Sequence, residues 1–245
     1  MKVSIIIPAY NEKDNVISLA RDIIGKIDNV EIIIVDDSIE DNISSAVEKM
    51  DKVNHIFRGK KLGRGSAVIE GIVHLIENSD TKIFVEMDAD YSHDPNELEK
   101  NLTLFKEKDY DLLISSRYLS ESKIINWPLP RRVFSFMANL LARILLRVPV
   151  SDYTNGYRIY SISAANHIAY NCGKIGDGFI ILSEILVELY YNKFKIGETK
   201  SKFVNRVRGE SSVNFKEIIN SLIGLIKIYK LKNQIKKKIQ KNVHN

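Results

Sequence analysis

The segment Ile83-Phe84-Val85-Glu86-Met87-Asp88-Ala89-Asp90-Tyr91-Ser92-His93 decides how this 245-residue chain is read. Residues 83–87 have the character of a buried strand, and they run directly into two carboxylates one residue apart. Aspartate fits a pleated strand poorly, so the pair marks the strand's carboxyl end. In an open α/β sheet that end is where ligands bind. Two carboxylates there suit Mg²⁺ or Mn²⁺ holding a diphosphate, because such ions combine one or two carboxylates with phosphate oxygens. Taken alone, Asp-x-Asp is equally an ordinary turn. The neighbouring elements decide between the two.

Upstream, residues 2–7 form a continuous apolar run, as expected of a parallel strand covered on both faces. Asn11 or Asp14 is placed to cap a helix carrying Val16, Leu19, Ile23 and Ile27 at helical spacing. Residues 31–35 repeat the buried-strand pattern and end in Asp36-Asp37, and residues 55–57 give a weaker strand. Gly63-Arg64-Gly65-Ser66 opens a helix with Val68, Ile72, Val73 and Ile76 on one side. Downstream, Asp94-Pro95 reads as N-cap and first helical residue, and 112–115 as a fifth strand. This alternation predicts an α/β fold with a doubly wound, mostly parallel central sheet. Beyond Arg117 a helix is expected over 131–147, a strand over 157–161, a helix over 180–191 and an extended segment over 195–204.

A hydrophobic content of 44% with 27% charged residues is ordinary for a globule with a real core. A single cysteine, Cys172, excludes an internal disulfide framework and suits plain packing. No apolar run reaches about 18 residues, the length needed to span a bilayer. The first residues carry no signal-peptide pattern. The net charge of +5 is uneven: residues 227–245 hold seven lysines and no acid, which leaves the preceding 226 residues at −2. Ahead of and overlapping that tail, Phe215, Ile218, Ile219, Leu222, Ile223, Ile226 and Tyr229 form an apolar stripe. The stripe suits either docking on the protein or an interfacial helix, with the lysines drawn to anionic lipid. Nucleic acid is not expected, because the lysines lack interleaved aromatics. The boundaries that follow are a globular domain over 1–212, an amphipathic helix over 213–231 and a basic, disordered tail over 232–245.

Three strand ends carry polar clusters: Pro8-Ala9-Tyr10-Asn11-Glu12, Asp36-Asp37-Ser38 and Asp88-Ala89-Asp90. In a parallel sheet these lie on one edge, so Tyr10, Glu12, Asp37, Asp88 and Asp90 converge on one crevice suited to a base and ribose beside a metal-bound diphosphate. With Lys61-Leu62-Gly63-Arg64-Gly65-Ser66-Ala67 they resemble the family 2 glycosyltransferases of the GT-A fold. Ser116-Arg117-Tyr118, Trp127 with Arg131-Arg132, Asn139, the 151–158 segment, Gly178-Phe179 with Glu184, and the 203–211 segment are similar to polyprenyl-phosphate sugar synthases, the group that includes dolichyl-phosphate mannose synthase. The resemblance implies that Pro8, Tyr10, Glu12, Val35 and Asp37 hold the nucleotide. It implies that Asp88, Ala89 and Asp90 meet the diphosphate and a divalent cation (Mg²⁺ or Mn²⁺), with Asp90 and Ser92 at the metal. Arg117 and Arg131 would grip the acceptor phosphate, and Lys174 and Arg206 would close over the donor. Ser92 stands where some relatives carry Gln, and Ser211-Ser212 where Ser-Lys is common.

The activity so implied is inverting transfer of mannose from GDP-mannose to dolichyl or polyprenyl phosphate. UDP-glucose or UDP-N-acetylglucosamine are the alternative donors, and a non-catalytic nucleotide-binding membrane partner is the alternative of another class. A phosphate monoester is already largely a dianion at neutral pH and needs no general base. The expected location is the cytoplasmic face of a membrane, reached through the C-terminal helix and lysine tail, with or without a partner subunit. His93 and His55 have no metal-ligand spacing around them, and His93 reads as a turn residue.

Overall fold

The computed structural model describes residues 1–205 and 215–243. Its first half alternates strand and helix: β1 (Val3–Ala9), α1 (Lys13–Ile24), β2 (Val30–Asp36), α2 (Ser44–Val47), β3 (Val53–Phe57), α3 (Arg64–Asn78), β4 (Ile83–Glu86), α4 (Leu98–Glu107) and β5 (Leu112–Ser116). The second half holds β6 (Lys123–Ile125), α5 (Leu129–Leu146), β7 (Arg158–Ser161), α6 (Ile162–Asn171), α7 (Ile180–Tyr191), β8 (Ile196–Lys200), β9 (Lys202–Val204) and α8 (Phe215–Val243). Seven strands form one sheet in the order β3-β2-β1-β4-β7-β5-β8. All its pairings are parallel except those of β7, which runs antiparallel between β4 and β5. The expected mostly parallel α/β sheet is therefore present, with one reversed strand.

Successive strand residues point to opposite faces, and helices cover both. Ile6, Ile33, Phe84, Leu112 and Tyr160 pack with α3, α6 and α7 on one side. Ile5, Ile7, Ile32, Ile34, Val85 and Leu113 pack with α1 and α4 on the other. Gly71 sets how closely α3 lies on β1, since a Cβ there would stand 2.7 Å from Ile6 Cγ2. That approach fixes the start of α3 beside the end of β4. Asp94 caps the next helical segment as expected, accepting from Asn96 N–H at 3.0 Å. The α1 cap differs: Glu12 occupies the N-cap position without a side-chain cap bond, and Asn11 turns the chain at φ 57° instead.

The extended segment near residue 200 divides into two strands in different sheets. β8 extends the main sheet, whereas β9 pairs with β6 in a two-stranded parallel ribbon. An antiparallel bridge between Phe203 and His93 ties this ribbon to the turn after β4.

The final helix runs to Val243, well past the boundary at 231 drawn from the sequence. Residues 232–243 contain no Gly or Pro to stop it, and Ile235 continues the packing of its inner face. That inner face is Leu225, Ile228 and Lys232, the last donating its ammonium to Leu145 O near the end of α5. Burial pulls the Lys232 ammonium below its ordinary pKa. Gly224 marks the crossing with α7, because a Cβ there would reach 2.5 Å from Ile180 Cγ1. Leu222, Ile223, Ile226 and Tyr229, from the stripe noted in the sequence, face outward. The 212/213 boundary lies outside the described residues. Gly71→Val is expected to lower unfolding free energy by about 1–3 kcal/mol through overpacking against Ile6, measured by urea denaturation.

Candidate active site

The turn after β4 is built around a buried imidazole. His93 is fully buried, stacked on Tyr157 at 5.2 Å between centroids and edge-on to Phe203 at 5.6 Å. Asp88 N–H donates to His93 Nδ1 at 3.0 Å, so that nitrogen is unprotonated and Nε2–H faces Asn155 Oδ1 at 3.0 Å. Asn155 Nδ2 donates in turn to Ser115 O at the end of β5. Burial pushes the imidazole below its usual pKa, against the pull of Asp88 and Asp90. His93 is thus a neutral pin that sets the direction of the Asp88-Ala89-Asp90 turn. Asp90 Oδ1 accepts from Ser92 N–H at 3.0 Å, closing an Asx-type turn with Tyr91 at φ 58°. Ser92 is 2% exposed, and its Oγ has no hydrogen-bond partner among the described residues.

A cation stands behind this turn. Arg64, the first residue of α3, donates through Nε to Asp88 Oδ1 at 2.8 Å and through Nη1 to Glu86, which is itself fully buried. Tyr160 O–H donates to the other Glu86 oxygen at 2.7 Å. Burial alone would depress the guanidinium, but Asp88 and Glu86 outweigh it and hold Arg64 above its ordinary pKa. Phe179 lies 5.3 Å over the guanidinium, and a Cβ at Gly156 would stand 1.9 Å from Nη2, so only glycine fits there.

Along the neighbouring strands, Pro8 and Val35 pair in register. Val35 is fully buried in the core, so its side chain takes no part in the edge. Asp37 is 4% exposed, and both of its oxygens are engaged. Oδ1 accepts from Arg58, and Oδ2 from the N–H groups of Leu62 and Gly63 at 2.9 and 2.7 Å. Tyr10 is 36% exposed beneath Lys61 Nζ, which sits 4.4 Å from the ring centroid. Glu12 accepts from Asn15 Nδ2 at 2.6 Å. A cleft of about 230 Å³ lined by Asn11, Lys13, Ser38, Asn42 and Ile43 opens beside these residues.

Across from the carboxylate turn lies a cluster of arginines and aromatic rings. Arg117 is buried and forms a bidentate pair with Asp152, Nε to Oδ2 at 2.8 Å and Nη2 to Oδ1 at 2.7 Å. Burial would raise the Asp152 carboxyl, and the Arg117 guanidinium outweighs it and holds it low. Arg131 stacks on Trp127 at 4.4 Å and donates to Asn205 Oδ1 at 2.9 Å. An open groove of about 350 Å³ is lined by Arg117, Tyr118, Ser122, Ile124, Arg132, Val133 and Phe136. Arg132, the neighbour of Arg131, lines this groove. Val133 and Phe136 belong also to the outer face of α5, where Phe134, Met137, Leu140, Leu141 and Ile144 are exposed as well.

The structure therefore gathers Tyr10, Glu12, Asp37, Asp88, Ala89 and Asp90 on one sheet edge, with Pro8 and Val35 paired in register on the strands that lead to it. Lys174 follows α6, and its ammonium donates to Tyr170 O in the last turn of that helix at 3.2 Å. Arg206 lies outside the described residues. Sequence reasoning passed over Arg58 and Arg64 as anchors of the carboxylates. Arg64 stood inside a quoted motif, but its partners are 22 and 24 residues away and meet it only through the packing of α3. From sequence His93 reads as a plain turn residue, because Asn155, which fixes its tautomer, is 62 residues distant.

The depressed His93 pKa has a definite sign. The unfolded imidazole takes up a proton near pH 6.5 while the folded one resists it, so the stabilisation is complete above that pH and falls away below it. Parent protein without added metal should lose unfolding free energy from about pH 7 to about pH 5, and His93→Gln should show a flatter profile in urea titrations.

Residues 4–169 match the family described as Glycosyl transferase family 2. The chain is 32% identical over 246 residues to a dolichol-phosphate mannosyltransferase of Pyrococcus furiosus, covering 96% of this chain and 66% of that protein. It thus spans just under two thirds of that relative's length. It is 31% identical to a polyprenol monophosphomannose synthase of Mycolicibacterium smegmatis, covering 86% of this chain and 80% of that one. A glucosyl-3-phosphoglycerate synthase from Mycobacterium tuberculosis, crystallised with Mn²⁺, UDP-glucose and phosphoglyceric acid, superposes with a TM-score of 0.66 at 19% identity. It covers 94% of this chain and 80% of that structure, a likeness of fold. With its parallel sheet, its carboxylate turn at the end of β4 and a family match over most of its globular body, the chain belongs to glycosyl transferase family 2.

Proposed function

We propose that this protein transfers mannose from GDP-mannose to the phosphate of a dolichyl or other polyprenyl phosphate, with inversion at the anomeric carbon. One observation carries the reading. The groove holding Arg117 and Arg132 shares Val133 and Phe136 with the exposed apolar face of α5, so a phosphate-binding wall continues into a surface for a long hydrocarbon. The names of the two mannosyl-transferring relatives favour the same acceptor and sugar.

The carboxylate edge serves the donor in this reading. Among the described residues no three His, Cys, Asp or Glu side chains form a metal cluster of their own. Two carboxylates completed by phosphate oxygens are the set that Mg²⁺ or Mn²⁺ takes with a nucleotide, and the Mn²⁺-bound fold relative agrees with a divalent cation. Asp90 would hold the ion, which when bound neutralises the departing diphosphate. Ser92 Oγ, buried and without a hydrogen-bond partner among the described residues, is placed to meet an ion, water or phosphate at the turn. Asp37 acts through the 58–63 loop that it holds, and Tyr10 offers an aromatic face to the base.

The acceptor phosphate attacks as an anion, without a side-chain base. Asp152 locks the Arg117 fork and offsets its charge, so Arg131 and Arg132 supply most of the attraction for the incoming phosphate. Lys174 and Arg206 are further candidates for the donor phosphates. Membrane attachment is peripheral in this proposal: no helix among the described residues is long and apolar enough to cross a bilayer. The outer faces of α5 and α8, flanked by Lys227 and Lys230, suit an interfacial position.

Purified protein with polyprenyl phosphate should transfer sugar from GDP-mannose in preference to UDP-glucose or UDP-N-acetylglucosamine. Asp90→Ala should reduce metal-dependent transfer by about a hundredfold or more, and Arg132→Ala should raise the acceptor KM with less effect on the donor KM. Transfer from a UDP-sugar alone would overturn the choice of donor. The membrane arm is separate: Phe134→Gln with Ile144→Gln should weaken co-sedimentation with anionic liposomes by about tenfold while sparing transfer to a short-chain acceptor.

A further inference from the structure

Arg64 is not explained by the need to start a helix. A cation in the first turn opposes the helix dipole, yet this one is largely buried, its side chain 12% exposed. Its Nε and Nη2 both reach Asp88 Oδ1, at 2.8 and 2.7 Å, and its Nη1 reaches Glu86. Glu86 is held from the far side by Tyr160 O–H. The absence of a side chain at Gly156 and the cover of Phe179 complete the enclosure. The helix carrying Arg64 is seated by two more close contacts. Gly65 N–H donates to Asp177 O at 2.6 Å, and a Cβ at Gly63 would stand 2.6 Å from the same oxygen. The guanidinium is therefore braced on several sides and cannot follow a ligand in or out.

We propose that Arg64 is a resident cation of the donor site. It keeps Asp88 engaged with the protein and adds a fixed positive charge beneath the diphosphate. Glu86 and Tyr160 are positioning residues that hold Arg64 in place. Two consequences follow from charge alone. A fixed guanidinium 2.7 Å from one carboxylate of the pair repels a bare divalent ion. The same charge attracts a nucleoside diphosphate, which carries the opposite sign. Arg64 thus weakens the site for metal alone and strengthens it for nucleotide, so metal and nucleotide bind together rather than metal first. The inference rests on the donor role proposed for the Asp88-Ala89-Asp90 turn, and it adds a residue that the Asp-x-Asp pattern does not contain.

The test uses the full chain and two binding readouts. Removing Arg64 alone changes the net charge but strands the buried Glu86, so Arg64→Gln is read beside Arg64→Gln with Glu86→Gln, which removes one charge of each sign and in which Tyr160 O–H can still donate to the new amide oxygen. Mn²⁺ binding without nucleotide is followed by electron paramagnetic resonance, and GDP binding in EDTA by calorimetry. Arg64→Gln is expected to bind Mn²⁺ several-fold more tightly and GDP about tenfold more weakly than the parent, with the charge-balanced double variant shifted less in both and Arg64→Lys close to the parent. A merely structural role would move both affinities in the same direction, or neither, and either result overturns the proposal. If the parent itself binds no GDP and transfers no sugar, the donor reading fails instead, and the two failures are distinguishable.

Discussion

Negative charge crowded onto one sheet edge is the constraint around which this protein is arranged. Asp36, Asp37, Glu86, Asp88 and Asp90 all lie at or just beyond the carboxyl ends of β2 and β4, the parallel strands on either side of β1. Carboxylates so close repel one another and are costly to bury without partners. Each cluster is met by a group from elsewhere in the chain. Ser38 answers Asp36, Arg58 and two loop N–H groups answer Asp37, and Arg64 answers Glu86 and Asp88 together. Those partners fix the 58–64 segment, and through it the start of α3.

The compensation reaches beyond the carboxylate edge. Phe203 packs edge-on against both His93 and Trp127, and Arg117 lies over Trp127 and Phe203 in turn. Arg131 covers Trp127 and holds Asn205 at the end of β9. A continuous stack of rings and guanidinium planes thus joins the carboxylate turn to the groove at the start of α5. Stacked rings and planar cations keep fixed spacings at low entropic cost, so the turn and the groove are held in register. The reversed β7 has a comparable part: it places Arg158, Tyr160 and the preceding Asn155 loop between β4 and β5, where they reach both sides of the site.

The outward face of α5 stands apart from this economy of charge. Eight large apolar residues, from Leu129 to Ile144, are exposed on it, and Leu222, Ile223, Ile226 and Tyr229 of α8 are exposed in the same way. Singly exposed apolar residues need no explanation, but a whole helix face of them is unusual on a soluble surface. The sequence pointed to the α8 stripe and missed α5, because the 131–147 pattern reads equally as a core helix. Only the docked positions Asn139, Ala142 and Leu146 reveal which side of α5 is inside.

Patterns local in the chain were legible from the residues themselves. The buried strands 2–7, 31–35 and 83–87, the Asp94 cap and the convergence of three strand ends follow from periodicity and from the parallel alternation of elements, which places every β-to-α turn on one edge. What pairs with what was decided only by tertiary packing. The Arg64–Glu86–Tyr160 chain, the Arg117–Asp152 lock and the His93–Asn155 bond join residues separated by 22 to 74 positions. Composition carries no trace of such pairings. The sequence determined where the carboxylates of this site would gather; the tertiary structure decided which cations reach Asp37, Glu86 and Asp88, because a salt bridge is a matter of distance and burial, and neither is written in residue order.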